Sequence, residues 1–73
     1  MVSYKPLWKV LVDRDMSKND LMKAAGISPN TMTKLRRGED VSMTVLNKIC
    51  ATLGVSYGDI MEYISAEQDD EDK

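Results

Sequence analysis

Residues 17–37 read SKNDLMKAAGISPNTMTKLRR, two short amphipathic patterns joined at Gly26-Ile27-Ser28. Ser17 with Asp20 three residues on is a capping pair: the serine oxygen accepts from exposed amides, and the carboxylate lies near the positive helix end. A helix is therefore predicted to start near Lys18. Leu21, Ala24 and Ala25 give it a narrow, small-sided apolar stripe that lets another helix approach closely. Gly26 stops it, because glycine takes the left-handed conformation that ends helices without steric cost. Ile27 is the apolar residue of the turn, Ser28 caps the next helix, and Pro29 fits the first helical position, where its missing N–H is not needed. The second helix is predicted over residues 29–37 and ends at Gly38.

At 100° per residue, Met32 and Leu35 share one face of that second helix, with Ser28 above them. Asn30, Thr33, Lys34 and Arg37 form the opposite stripe, facing away from the protein. Their chemistry suits base-pair edges: Asn can bind adenine through two hydrogen bonds, a Thr methyl can touch the thymine methyl, and Lys or Arg can reach guanine or phosphate. Any solvated helix face shows a polar stripe, so the stripe alone does not decide. Its place after a tight turn and its charge do more. Residues 17–37 hold five cations, Lys18, Lys23, Lys34, Arg36 and Arg37, against the single acid Asp20, a local net of +4 in a chain of net charge −2. The positive field is local, as phosphate binding requires.

The segment resembles the helix-turn-helix of the phage-repressor and Cro-like family, in its small five-helix form, and the resemblance covers about residues 4–64. It rests on Leu21, the small Ala25, Gly26 in the turn, Ile27 after it, and apolar Met32 and Leu35 in the second helix. The resemblance implies a cytoplasmic transcription regulator that binds a duplex operator as a dimer, with the second helix in the major groove. It also implies that Ser28, Pro29, Asn30, Thr31, Thr33 and Lys34 occupy base-facing or adjacent positions, and that Lys18 holds a phosphate. Arg36 and Arg37 join Lys18 as phosphate contacts. One position departs from the commonest pattern, since Met22 stands where the family often has Ala; this is read as a change in interhelix packing.

The remaining chain supplies supports for these two helices. Lys5-Pro6 opens a helix reaching about Arg14, with Leu7, Val10 and Leu11 inward, and Met16 re-enters the core after the polar 13–15 stretch. After the Glu39-Asp40 loop, Ser42 caps a helix carrying Val45, Leu46, Ile49, Cys50 and Leu53 that ends at Gly54. Gly54-Val55-Ser56 repeats the punctuation of Gly26-Ile27-Ser28, with Asp59 completing a second capping pair, and a fifth helix is predicted from about Tyr57 to Tyr63 or Ile64. No strand alternation is seen, so the expected fold is all-α with five helices in one domain over residues 1–65.

From Ala66 the chain reads AEQDDEDK, five acids against one lysine with no large aliphatic residue, a composition that predicts a disordered tail. Residues 1–65 hold nine cations against seven acids, a net of +2, so the overall charge misdescribes the domain. The tail is read either as solvating charge or as a competitor for the basic face.

Catalysis lacks its parts. There is no histidine, no cysteine paired with a base, no glycine-rich phosphate loop and no zinc ligand set, so no cofactor or metal is expected. Asp13, Asp15 and Asp20 are read as surface charge and a cap. The lone Cys50 forbids an internal disulfide and sits on an apolar stripe, as a small buried hydrophobe does. Met16, Met32 and Met61 fall at helical core positions. Without an apolar run of membrane length or a leader, a soluble cytoplasmic protein is expected, with no membrane partner. Trp8 beside Leu7 and Leu11, with Met61 and Ile64, suggests a two-fold homodimer face. The alternative to an operator reader is an antitoxin or protein-interaction adaptor, with a protein partner held by the fifth helix or the acidic tail.

Overall fold

Four α-helices and a two-stranded ribbon make up residues 1–65, the residues described in the computed structural model. Strand β1 spans Val2–Ser3, followed by helices α1 (Lys5–Asp13), α2 (Lys18–Ala25), α3 (Pro29–Arg37) and α4 (Met43–Leu53). A single 3₁₀ turn, Tyr57–Asp59, leads into strand β2, Glu62–Tyr63. The acidic tail lies outside the described residues.

The helix limits are set by local chemistry. The Ser17 hydroxyl accepts from the Asp20 amide at 3.0 Å while the Asp20 carboxylate accepts from the Ser17 amide at 3.0 Å, a reciprocal cap on α2. Ser28 and Ser42 cap α3 and α4 by accepting from the amides of Thr31 and Val45. Gly26, Gly38 and Gly54 close α2, α3 and α4. At Gly26, φ is +68° and nothing lies near where a Cβ would sit, so its need for glycine is a backbone need alone. Between α1 and α2 the turn relies on a non-glycine residue instead, Asp15, with φ +56°.

One core joins all four helices. Leu7 and Leu11 from α1, Leu21 and Ala25 from α2, Met32 and Leu35 from α3, and Leu46, Ile49 and Leu53 from α4 are buried, together with Tyr4, Ile27 and Ile60. Helix α4 packs chiefly on α2. Met22 is half-buried against this core, so the departure from alanine is absorbed by packing. Ala24 is exposed, which narrows the buried stripe of α2 to Leu21 and Ala25. Val10, Met16, Val45, Cys50 and Met61 are half-buried at the edge of the core.

The expectation of a fifth helix and an all-α chain is corrected here. The Ser56 amide does donate to the Asp59 carboxylate at 3.0 Å, but the helix so begun lasts one 3₁₀ turn. Gly58 is a poor helix former, and full burial of Ile60 is met as the chain turns out of that helix. The chain then extends and pairs antiparallel with β1, Val2 opposite Tyr63 and Ser3 opposite Glu62. The Ile64 amide adds a 2.9 Å bond to the Met1 carbonyl.

Candidate nucleic-acid interface

Helix α3 presents two chemically different sides. Met32 and Leu35 are almost wholly buried, and this anchors the helix in one rotational setting. Asn30, Lys34, Arg36 and Arg37 are thereby left exposed, with Thr33 half-exposed. The structure brings Asn30, Thr33 and Lys34 together on the outer side of α3, as the spacing predicts.

Several of these side chains also serve the helix. Ser28 Oγ accepts from the Thr31 amide at 3.2 Å and donates to Thr31 Oγ1 at 3.0 Å, so the two hydroxyls at the amino end are coupled. Thr33 Oγ1 donates to the Pro29 carbonyl at 3.1 Å. That bond uses the hydroxyl proton and leaves the oxygen lone pairs and the γ-methyl for other contacts. Lys34, Arg36 and Arg37 lie in the last turn, where cations also favour the negative helix end. Arg37 makes a 3.8 Å ion pair with Glu39; both side chains are largely solvated, so the pair constrains the guanidinium weakly.

Between the amino end of α2 and the side of α3 lies a notch of about 420 Å³. Ser17, Lys18, Asn19 and Arg36 line it with polar groups, and Met22, Pro29 and Met32 form its apolar wall. Two cations thus flank a helix amino terminus, an arrangement that favours an anion. Lys18 is held there by an unexpected neighbour: its ammonium sits 4.4 Å from the centre of the Trp8 ring. Such a contact restrains the side chain without neutralising it. Sequence reasoning missed Asn19 and this role of Trp8. The lysine and the tryptophan are ten residues apart in separate helices, so no local pattern signals their meeting.

Leu7 and Leu11 are consumed by the domain's own core, while Trp8 is half-buried beside Lys18 and shares the wall of a surface groove with Ile64. Of the exposed large apolar side chains, Met1, Tyr57 and Tyr63 line a shallow apolar depression with Val2 and Met61, whereas Val12 and Met43 do not line it. Tyr57 is tied to α4 by a hydrogen bond from its hydroxyl to the Asn47 side-chain carbonyl. The Cys50 thiol is pushed above its ordinary pKa by burial and, secondly, by the Asp59 charge, the opposite of what a reactive thiolate needs. No group of metal-ligating side chains occurs among the described residues, and none of their helices is long and apolar enough to cross a membrane.

A small helical domain whose second capped helix is exposed along a cationic stripe has the architecture of a duplex-binding helix-turn-helix module. The chain belongs to the Cro/C1-type HTH DNA-binding domain family, whose model matches residues 6–66. It is also similar to a solved structure described as "Crystal structure of transcriptional regulator VanUg, Form II", with 51% identity and a TM-score of 0.85 over 86% of this chain and 84% of that one. No curated protein matches the chain.

Proposed function

We propose that this protein is a sequence-specific double-stranded DNA-binding transcriptional regulator, acting as a repressor by occupying an operator with α3 in the major groove. The observation that carries the reading is the anchoring of α3 by buried Met32 and Leu35, which leaves Asn30 and Lys34 in solvent on one side. In this reading Asn30, Thr33 and Lys34 read base edges, with Ser28, Pro29 and Thr31 beside them at the amino end of the helix. Lys18, Arg36, Arg37 and the amides at the start of α2 grip phosphates, and Asn19 joins them in the notch. A second copy on the Met1, Tyr57, Met61 and Tyr63 surface would place two such helices on a palindromic operator, the geometry of a two-fold dimer.

Selection from a randomised duplex pool tests this, with an Asn30→Ala, Thr33→Ala, Lys34→Ala triple variant beside the unaltered protein. Enrichment of one motif by the unaltered protein alone is expected, and an inverted repeat would report the dimer. If neither protein enriches a motif, the operator reading is wrong. The exposed apolar surface around Tyr63 then favours the second reading, an antitoxin or adaptor that binds a protein there.

A further inference from the structure

Arg36 also lines a second groove, of about 300 Å³, between β1, the start of α1 and the end of α3. Lys5, Arg36 and Arg37 supply its charge, Trp8, Leu35 and Ile64 its apolar wall, and no acid among the described residues lines it. The ribbon ends beside this groove, since Ile64, the residue after β2, is part of its wall. Three residues later the sequence turns to Glu67, Asp69, Asp70, Glu71 and Asp72. Asp69 lies five residues beyond Ile64, a reach of up to about 17 Å in extended chain, so the groove is within easy span. Arg37 already takes a carboxylate, that of Glu39, in a weak solvated pair that a denser acidic segment can replace.

We propose that the groove is a docking site for this chain's own acidic segment, residues 67–72, seated on Lys5, Arg36 and Arg37. Charge complementarity and the exit of the chain at Ile64 select this occupant. Docked there, the segment competes with DNA phosphates for Arg36 and Arg37 while leaving Asn30 and Thr33 uncovered. Non-specific binding is weakened more than base reading, because non-specific affinity is almost wholly a phosphate term. This consequence rests on the DNA-binding reading; the docking itself does not.

The test compares the full chain with a variant of equal length carrying E67Q, D69N, D70N, E71Q and D72N. Trp8 fluorescence and the backbone amide shifts of Lys5, Trp8, Gly38 and Ile64 are followed as salt is raised. In the unaltered chain these signals should move with salt, and the variant at low salt should match the unaltered chain at high salt. Lys5→Gln, in α1, should shrink the salt-dependent movement. Non-specific duplex affinity of the neutralised variant should rise about three- to tenfold at low salt, with the two chains converging at high salt. Identical groove signals in both chains at low salt would overturn the proposal, and a rise in DNA affinity beside silent groove signals would assign the tail to long-range repulsion. Shifted groove signals in a chain that binds no duplex would uphold the docking and remove the DNA reading instead.

Discussion

Asn30 and Arg37 stand on the same helix, yet different physics governs what each can contribute to a duplex. An amide that forms two directional bonds to adenine discriminates between bases, whereas a guanidinium on phosphate acts on every sequence alike. Asn30→Ala should cost about 1–3 kcal/mol on the preferred site and relax its specificity. Arg37→Ala should weaken binding to all sequences and lower the salt slope by about one. Titrations against the selected and a scrambled duplex at several salt concentrations separate the two, and equal behaviour would sink the role assignment. Glu39→Gln, which frees Arg37 from its weak pair, should change affinity in the opposite direction to Arg37→Ala. The placement of these side chains was legible in sequence: the spacing put Asn30, Thr33 and Lys34 on one face because a helix face is a local property. The hold of Trp8 on Lys18 was not, because it depends on how α1 packs against α2.

At the scale of the element, capping decides how well α2 and α3 keep their ends. Hydrogen bonds from the Ser17 amide and hydroxyl, the largest cause, hold the Asp20 carboxyl below its ordinary pKa, with Lys23 adding a smaller pull. A depressed folded pKa gives stability that is present above the ordinary carboxylate range and is lost as pH falls through the lowered value. Asp20→Asn should therefore flatten the acid limb of a stability-against-pH curve, measured by circular dichroism on thermal melts. Ser28→Ala should cost about 1 kcal/mol of stability, and because Ser28 also binds Thr31 it should loosen the amino end of α3. In the α1–α2 turn, Asp15→Val should cost about 1–2 kcal/mol, since a β-branched residue resists the left-handed conformation that aspartate tolerates; Asp15→Gly should not. The limits of α2, α3 and α4 could be read from sequence because serine caps and glycine stops act within four residues of themselves, and the start of α1 because Pro6 fits a first helical turn. The fifth helix failed on the same ground, since a correct start signal at Ser56 says nothing about where the chain must go after Ile60.

For the whole molecule, size sets the margin. A chain of 73 residues buries only about 60% of its unfolded surface, so single core residues carry a large share of stability. Ile60, fully buried just past the 3₁₀ turn, belongs to none of the helices yet helps close the core. Ile60→Ala should cost about 2–5 kcal/mol, close to the entire stability of such a domain, and chemical denaturation would register it as loss of the folded baseline. Saturating duplex should recover part of that loss, because a ligand of the native state alone stabilises it by mass action.

The ribbon also orders events in time. Val2 and Tyr63 are partners across almost the full described length, whereas the serine caps and glycine stops join residues a few positions apart. Closing so long a loop costs entropy before its few bonds return anything, so the helices should assemble first and the two ends should zip together last. In reverse, the zip opens first: amide hydrogen exchange at the Ile64–Met1 bond should run ahead of that at Leu21 or Ile49, with α2 and α3 still intact while the ends part and rejoin.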